Sequence, residues 1–258
     1  PVSYKSGDQP NNALSLNVMQ PGDVAATAGT SGVIYGVSDA LTYDPQSRVN
    51  SFAHVNHTDE LTRVGVLLCI NGTGILNKWI KNLSGSATYS EMNQQAAAIP
   101  AGSEGLLVLP FGNGAERMLN NKLPGAHIHN IDLNKHQNAH VIRAAQEGIA
   151  FAFRYGLDIM RSNGMQPAVI RASKANMFLS DIFCEAFVNV TNVPGGLYNG
   201  DGSVGPALGA GIGCGFFKQA AEAFEKREMT GYIQPAQTEK YDELYMRWKA
   251  ALERQLNA

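Results

Sequence analysis

Charge and cysteine are both scarce in this sequence. Asp, Glu, Lys and Arg make up 16% of the 258 residues, the formal net charge is −2, and no block of Lys and Arg stands out. Such a chain lacks the basic footprint of a protein that binds a nucleic-acid backbone or an anionic membrane. The three cysteines, Cys69, Cys184 and Cys214, lie far apart, each in an apolar run (LLCI, DIFC, GIGCG). An odd, scattered set is a poor disulfide framework and has no metal-ligand spacing, so all three read as reduced core residues. That usage fits the cytoplasm. No apolar run approaches the ~20 residues that a helix needs to cross a bilayer.

Several motifs are missing as well. There is no GxxxxGK[ST] phosphate loop, no GxGxxG directly after an expected strand and no GxSxG elbow. The six histidines make no metal site by spacing: His54 and His57 need a turn between them, and His127 and His129 would merely share one face of a strand. The opening residues, PVSYKSGDQPNN, contain neither a starting Met nor a signal peptide. A chain cut from a longer protein is expected to begin this way.

What the sequence does have is apolar residues, at 44%, and 27 glycines. That is enough for a sizeable core in one domain spanning 1–258, with many tight turns. β-like runs at 24–28 and 33–37 flank Gly29-Thr30-Ser31-Gly32, a hairpin with a glycine-bearing turn. Further strands are expected at 51–55, 64–70, 106–110, 168–171 and 187–193, the last ended by Pro194-Gly195-Gly196. Helices are expected at 74–83, 89–98, 176–187 and 239–256. The clearest runs over 138–160, with Asn138 as N-cap and Val141, Ala145, Ile149, Phe153 and Leu157 in one apolar stripe. The run 203–225 is rich in small residues and can be helical if it packs tightly against a sheet. Hairpins followed by alternating helix and strand describe an α/β fold, a mixed sheet with helices on both faces.

Three places could carry chemistry. Asp8 follows Gly7 in a polar stretch and could be presented at a cleft or be a solvated turn carboxylate. The turn Gly29-Thr30-Ser31 offers amides and hydroxyls to phosphate oxygens, though such a turn is also common structure. The segment Arg171-Ala172-Ser173-Lys174-Ala175-Asn176 leaves a strand and enters a helix, a geometry that points free N–H groups at an anion. The glycine-rich run at 200–210 reads as close helix packing.

In order, the sequence blocks resemble the C-terminal domain of the FGGY carbohydrate kinases. They are SGD (6–8), PGDVAATAGTSGVIYGVSD (21–39), NGTGILNKW (71–79), GLLVLPFGNGAER (105–117), HVIRAAQEGIAFAFRYGLDIM (140–160), IRASKANMFLSDIF (170–183) and DGSVGPALGAGIGCG (201–215). The match covers nearly the whole chain and is nearest the xylulose-phosphorylating branch. Departures from the family pattern are Ser6 for a glycine, Asn130 for a glycine, Gln146 for an apolar residue and Arg171-Ala172 for paired glycines.

The resemblance implies an actin/hexokinase-like (ribonuclease H-like) ATPase domain that acts with ATP and Mg²⁺. It implies that Asp8 is the general base toward a sugar hydroxyl, a pentulose being the expected substrate. It places the β/γ-phosphates on Gly29, Thr30 and Ser31, and the adenosine against Gly74, Ala172, Ser173 and Asn176. The sugar-binding N-terminal domain, with its own phosphate clamp, is not found in this chain, and a homodimer stays open. Two alternatives remain: another kinase of the family, for glycerol, gluconate, ribulose or fuculose, or a non-catalytic actin-like nucleotide-binding module.

Overall fold

The computed structural model describes residues 2–225 and 227–257. In chain order the first half contains α1 (Asp8–Ser15), β1 (Asp23–Ala28), β2 (Gly32–Ser38), β3 (Asn50–Ala53), β4 (Val64–Ile70), α2 (Gly74–Leu83), α3 (Tyr89–Ala97), β5 (Leu107–Phe111) and β6 (Gly125–His129). The second half contains α4 (Asn138–Ser162), β7 (Val169–Ser173), α5 (Asp181–Thr191), β8 (Gly195–Tyr198), α6 (Val204–Gly213), β9 (Met229–Ile233) and α7 (Thr238–Leu256). Seven strands form one mixed sheet in the order β3-β4-β2-β1-β7-β8-β9, and β5 pairs with β6 apart from it. The β3, β4, β2 and β1 strands pair antiparallel in that order, with β3 at the edge beyond β4; β1, β7 and β8 run parallel, and β9 returns antiparallel.

The central strands serve two cores because successive side chains alternate faces. Val24, Ala26 and Ala28 of β1 join the main core, with Ile149, Phe153 and Leu157 of α4, Phe183 and Phe187 of α5, and Trp248 of α7. Ala25 points the other way and packs with Tyr35, Val37 and Ala13 of α1 in a smaller core. Helices therefore cover both faces of the sheet, as the sequence pattern implies.

Four local expectations need correction. Residues 187–191 are helical, because α5 runs on to Thr191 and strand β8 begins in the Pro194-Gly195-Gly196 segment. Phe183, Phe187 and Val190 are all buried and lie on one helical face, a spacing that the apolar run FVNV disguises as alternation. The expected helix at 176–187 is broken: a short 3-10 turn covers Asn176–Leu179, and Ser180 then caps α5 by accepting the Phe183 N–H. At α4 the cap is Gln137, one residue early, in a reciprocal box with His140. Of the cysteines, Cys184 is buried and Cys69 half-buried, but Cys214 is exposed beyond the end of α6.

The small-residue run packs against a helix instead of the sheet. A Cβ at Gly205, Gly209 or Gly213 would come within 1.9 Å of the Asn11 carbonyl, 2.7 Å of the Tyr4 ring and 2.1 Å of the Ser3 carbonyl, respectively. This stripe, one glycine per helical turn, lets α6 lie directly on α1 and the segment before it. Among the described residues, no helix is long and apolar enough to cross a membrane.

Candidate functional site

The hairpin between β1 and β2 ends at the pair Ala28–Gly32, leaving Gly29, Thr30 and Ser31 as its turn. The start of α2 is sewn onto that turn: Gly74 N–H donates to the Gly29 carbonyl at 2.9 Å and Ile75 N–H to the Thr30 carbonyl at 3.1 Å. Those bonds satisfy two of the helix's unpaired first-turn donors. They also require glycine at 74, where a Cβ would sit 2.2 Å from the Gly29 oxygen. Among the described residues, neither Thr30 nor Ser31 gives its backbone N–H or its hydroxyl to another group of the protein. The Thr30 and Ser31 part of the turn therefore presents two amides and two hydroxyls, with the Gly29 and Thr30 carbonyls already occupied.

The approach to α2 is held by a buried carboxylate. Glu116 is fully buried and accepts the N–H of Asn71 at 3.0 Å and of Gly72 at 3.1 Å. Burial raises its pKa, and the two backbone bonds oppose that rise.

Between the turn, α2, α3 and the start of α5 lies a cleft of about 480 Å³. Its lining includes Gly29, Thr30, Gly74 and Asn176. Apolar surface comes from Ile75, Tyr89, Met177 and Leu179, of which Leu179 is 61% exposed. Polar groups come from Asn77, Lys78, Asn93 and Ser180. The Asn77 Oδ1 atom is buried and has no hydrogen-bond partner. An apolar slot with a few converging amides, opening onto free N–H groups, suits a flat heteroaromatic group attached to an anionic chain. Among the described residues, no cluster of three or more His, Cys, Asp or Glu side chains could hold a metal ion.

The model of the FGGY family of carbohydrate kinases, C-terminal domain, matches residues 24–212. The chain belongs to this family. It is 26% identical over 263 residues to a xylulose kinase of Bacillus subtilis, covering 95% of this chain and 50% of that protein. It is 29% identical over 170 residues to a xylulose kinase of Haemophilus influenzae, covering 66% and 33%. Among solved structures, xylulose kinase from Rhodospirillum rubrum superposes with a TM-score of 0.84 at 24% identity, over 98% of this chain and 52% of that one. Plasmodium falciparum glycerol kinase with ADP gives 0.85 at 19%, over 96% and 50%. The fold is the actin/hexokinase-like one of these kinases, and the chain spans about half the length of most of the relatives it matches.

Within this FGGY fold, the structure gathers some of the sequence-predicted residues and separates others. Gly29, Thr30, Gly74 and Asn176 share the cleft, and Ser31 lies in the same turn. Asn176 holds a left-handed backbone, φ 53°, where the chain turns from β7 into the 3-10 segment. Ser173 and Asn176 also line a neighbouring cavity of about 170 Å³, with Asn12, Thr27 and Asp201. The Ser173 hydroxyl is buried there without a partner. Ala172 is 2% exposed and its methyl belongs to the main core, so only its backbone is left for a ligand.

Arg171, which departs from the glycines usual in the family, points away from the cleft. Its guanidinium bonds the Asn17 carbonyl and pairs with Asp23 at 3.2 Å. The substitution ties β7 to the start of β1 and leaves the slot open.

Asp8 opens helix α1, where a polar loop was expected. Its carboxylate is exposed and accepts the Gln9 N–H at 2.9 Å, a favourable place for negative charge at a helix N-terminus. Burial raises the pKa of the Cys69 thiol, and the Asp8 charge adds to that rise. Cys69 lies opposite Val33 on the strand next to the hairpin. The residues that sequence reading missed, Asn77, Asn93 and Ser180, lie on or beside three helices. Asn77 alone left a trace, as a polar residue between Leu76 and Ile80 on the buried side of α2.

Proposed function

We propose that this chain supplies the nucleotide site and the proton acceptor for ATP-dependent phosphorylation of a sugar hydroxyl, converting D-xylulose to xylulose 5-phosphate. One observation carries the reading: the Thr30 and Ser31 amides and hydroxyls are unused within the protein at the mouth of a cleft that Gly29, Gly74 and Asn176 line. The names of the relatives support the sugar, since relatives from five bacteria at 24–29% identity are xylulose kinases, although one that matches 99% of this chain is an autoinducer-2 kinase. Gluconokinase from Bacillus subtilis, 28% identical over 149 residues, keeps gluconate as the second choice.

The reaction follows from these parts. The adenosine occupies the cleft, and the β- and γ-phosphates lie on the Gly29–Ser31 turn. Charge on the phosphates would be offset by magnesium carried on the nucleotide. The sugar oxygen attacks the γ-phosphorus, the bond to the β–γ bridging oxygen breaks, and ADP leaves. Asp8 takes the hydroxyl proton. Because the transition state is loose, positioning and charge stabilisation contribute most of the acceleration, with general-base help worth roughly 10²–10⁴-fold. Most of the residues that choose the sugar would lie in the half of the enzyme beyond this chain.

The test is a coupled ADP-release assay of the intact two-half enzyme against D-xylulose, D-ribulose, gluconate and glycerol. The highest kcat/KM is expected for D-xylulose. A preference for gluconate or glycerol reassigns the sugar, and no turnover with any of them removes the kinase reading.

A further inference from the structure

Lys81 stands over the ring of Tyr89, with its Nζ 5.6 Å from the ring centroid. Tyr89 lines the cleft and Lys81 does not, so the ring separates the ammonium from the cleft. Among the described residues, Lys135 and Lys249 pair with carboxylates and Lys81 does not, which leaves the negative π-face as its partner. The hydroxyls of Tyr4, Tyr241 and Tyr245 are hydrogen-bonded to other groups of the protein, but among the described residues that of Tyr89 is not. The ring is therefore held from one face, by the cation, and not by its hydroxyl.

The backbone beneath the ring is fixed. The Thr88 hydroxyl caps α3 by accepting the Glu91 N–H at 3.1 Å, and the Glu91 carboxylate accepts the Ala87 N–H at 2.8 Å. Asn93, one helical turn after Tyr89, lines the same cleft and accepts a 2.8 Å hydrogen bond from Gln146, the α4 residue that stands where the FGGY pattern is apolar. That bond ties α3 to α4 and keeps the Tyr89–Asn93 side of α3 turned to the cleft. A second wall comes from the segment Asn176–Leu179, where Leu179 is 61% exposed, against 46% for Tyr89. Two large side chains on separate walls of one cleft thus leave apolar surface in water, and a flat aromatic group lying in the cleft covers it.

We propose that Tyr89 is the surface on which the nucleobase stacks, and that Lys81 is a positioning residue that holds the ring from behind. The inference rests on the nucleotide reading of the cleft and adds to it the contact that holds the base. A stacked base is bound through its π-face, so the ring of Tyr89 and not its hydroxyl carries the contact. Lys81 acts on the base only through the ring, because the ring stands between the ammonium and the cleft.

The experiment is calorimetric titration of the 258-residue chain with MgADP, for the unsubstituted protein, Tyr89→Phe, Tyr89→Leu, Lys81→Met and the double variant Lys81→Met with Tyr89→Leu. Tyr89→Leu keeps an apolar, helix-forming side chain but loses the ring, and ADP affinity is expected to fall at least about fivefold. Tyr89→Phe keeps the ring and is expected to stay within about twofold of the unsubstituted chain. Lys81→Met is expected to weaken ADP binding about two- to fivefold when Tyr89 is present and to add nothing in the Tyr89→Leu background, the coupling of a residue that acts through another. Unchanged affinity in Tyr89→Leu, or an equal loss in Tyr89→Phe and Tyr89→Leu, overturns the stacking contact and leaves the nucleotide site standing. No loss from Lys81→Met, or a loss of the same size in both backgrounds, overturns the positioning role. Failure of the unsubstituted chain to bind MgADP overturns the inference and the nucleotide reading together.

Discussion

Gly74 and Gly29 are joined by a 2.9 Å hydrogen bond from the amide of one to the carbonyl of the other. This bond sets the width of the cleft mouth, because it fixes the start of α2 against the hairpin turn. In Gly74→Ala, the added carbon meets the Gly29 oxygen at 2.2 Å, a backbone atom that cannot yield without breaking the bond. Alanine gains at most ~1 kcal/mol of helix propensity, whereas overpacking costs typically 1–3 kcal/mol. The variant is expected to melt several degrees lower and to lose more than about tenfold in MgADP affinity. Thermal melts and calorimetry together check this; an unchanged affinity removes the turn–helix junction from the site.

Asp8→Asn keeps the size of the side chain and the helix start but cannot accept a proton. In the intact enzyme, kcat is expected to fall at least ~10²-fold while KM for ATP changes little, as for a group used only in the transition state. Steady-state kinetics decide it. Near-normal turnover makes Asp8 a helix-start carboxylate and nothing more.

Acid should loosen the protein in two stages. His54 is 3% exposed; its Nδ1 faces Asn56 Oδ1 and its buried Nε2 has no partner. Burial lowers its pKa to about 4 from 6.5, helped by Arg63 and His57. The unfolded chain therefore takes up this proton first, and the stability present above pH 6.5 is lost as pH falls toward 4, by up to about 3 kcal/mol. Asp44 follows: bonds from Arg48 hold its pKa at about 2, so its contribution is present above 3.8 and lost below that. The buried Glu116 and Glu147 act in the opposite direction, since burial raises both pKa values and acidification relieves their cost. Urea unfolding at pH 7.5, 6 and 5 should show stability falling. His54→Phe should flatten that slope, even if it lowers stability throughout. The same slope in both proteins contradicts the assignment.

Much of this was visible in the sequence, for identifiable reasons. The Gly29–Ser31 turn stands between two runs of β-branched and small residues, and the stripe Ala145, Ile149, Phe153, Leu157 marks α4 by its four-residue spacing. The α5 boundary was hidden because Phe187-Val188-Asn189-Val190 fits either periodicity, and the Ser180 cap that decides it acts through a single bond. The orientation of Arg171 depends on which face of β7 it occupies, which only the pairing with β1 and β8 determines. Gln146 and Asn93 are 53 residues apart, so nothing local joins them. Asp8 was legible as a candidate, but its place at the start of α1 depends on the glycine stripe of α6 packing onto the Ser3–Asn11 stretch.

The central claim is that the cleft beside the hairpin turn is where this chain holds a nucleotide. A crystal structure of the 258-residue chain grown with millimolar MgADP tests it most directly. The account predicts the diphosphate against the Thr30 and Ser31 amides, the ribose near Gly74 and Asn176, and the base between Asn77 and Asn93. An empty cleft at that concentration, or ADP seated instead in the smaller cavity beside Asn12 and Asp201, would contradict it.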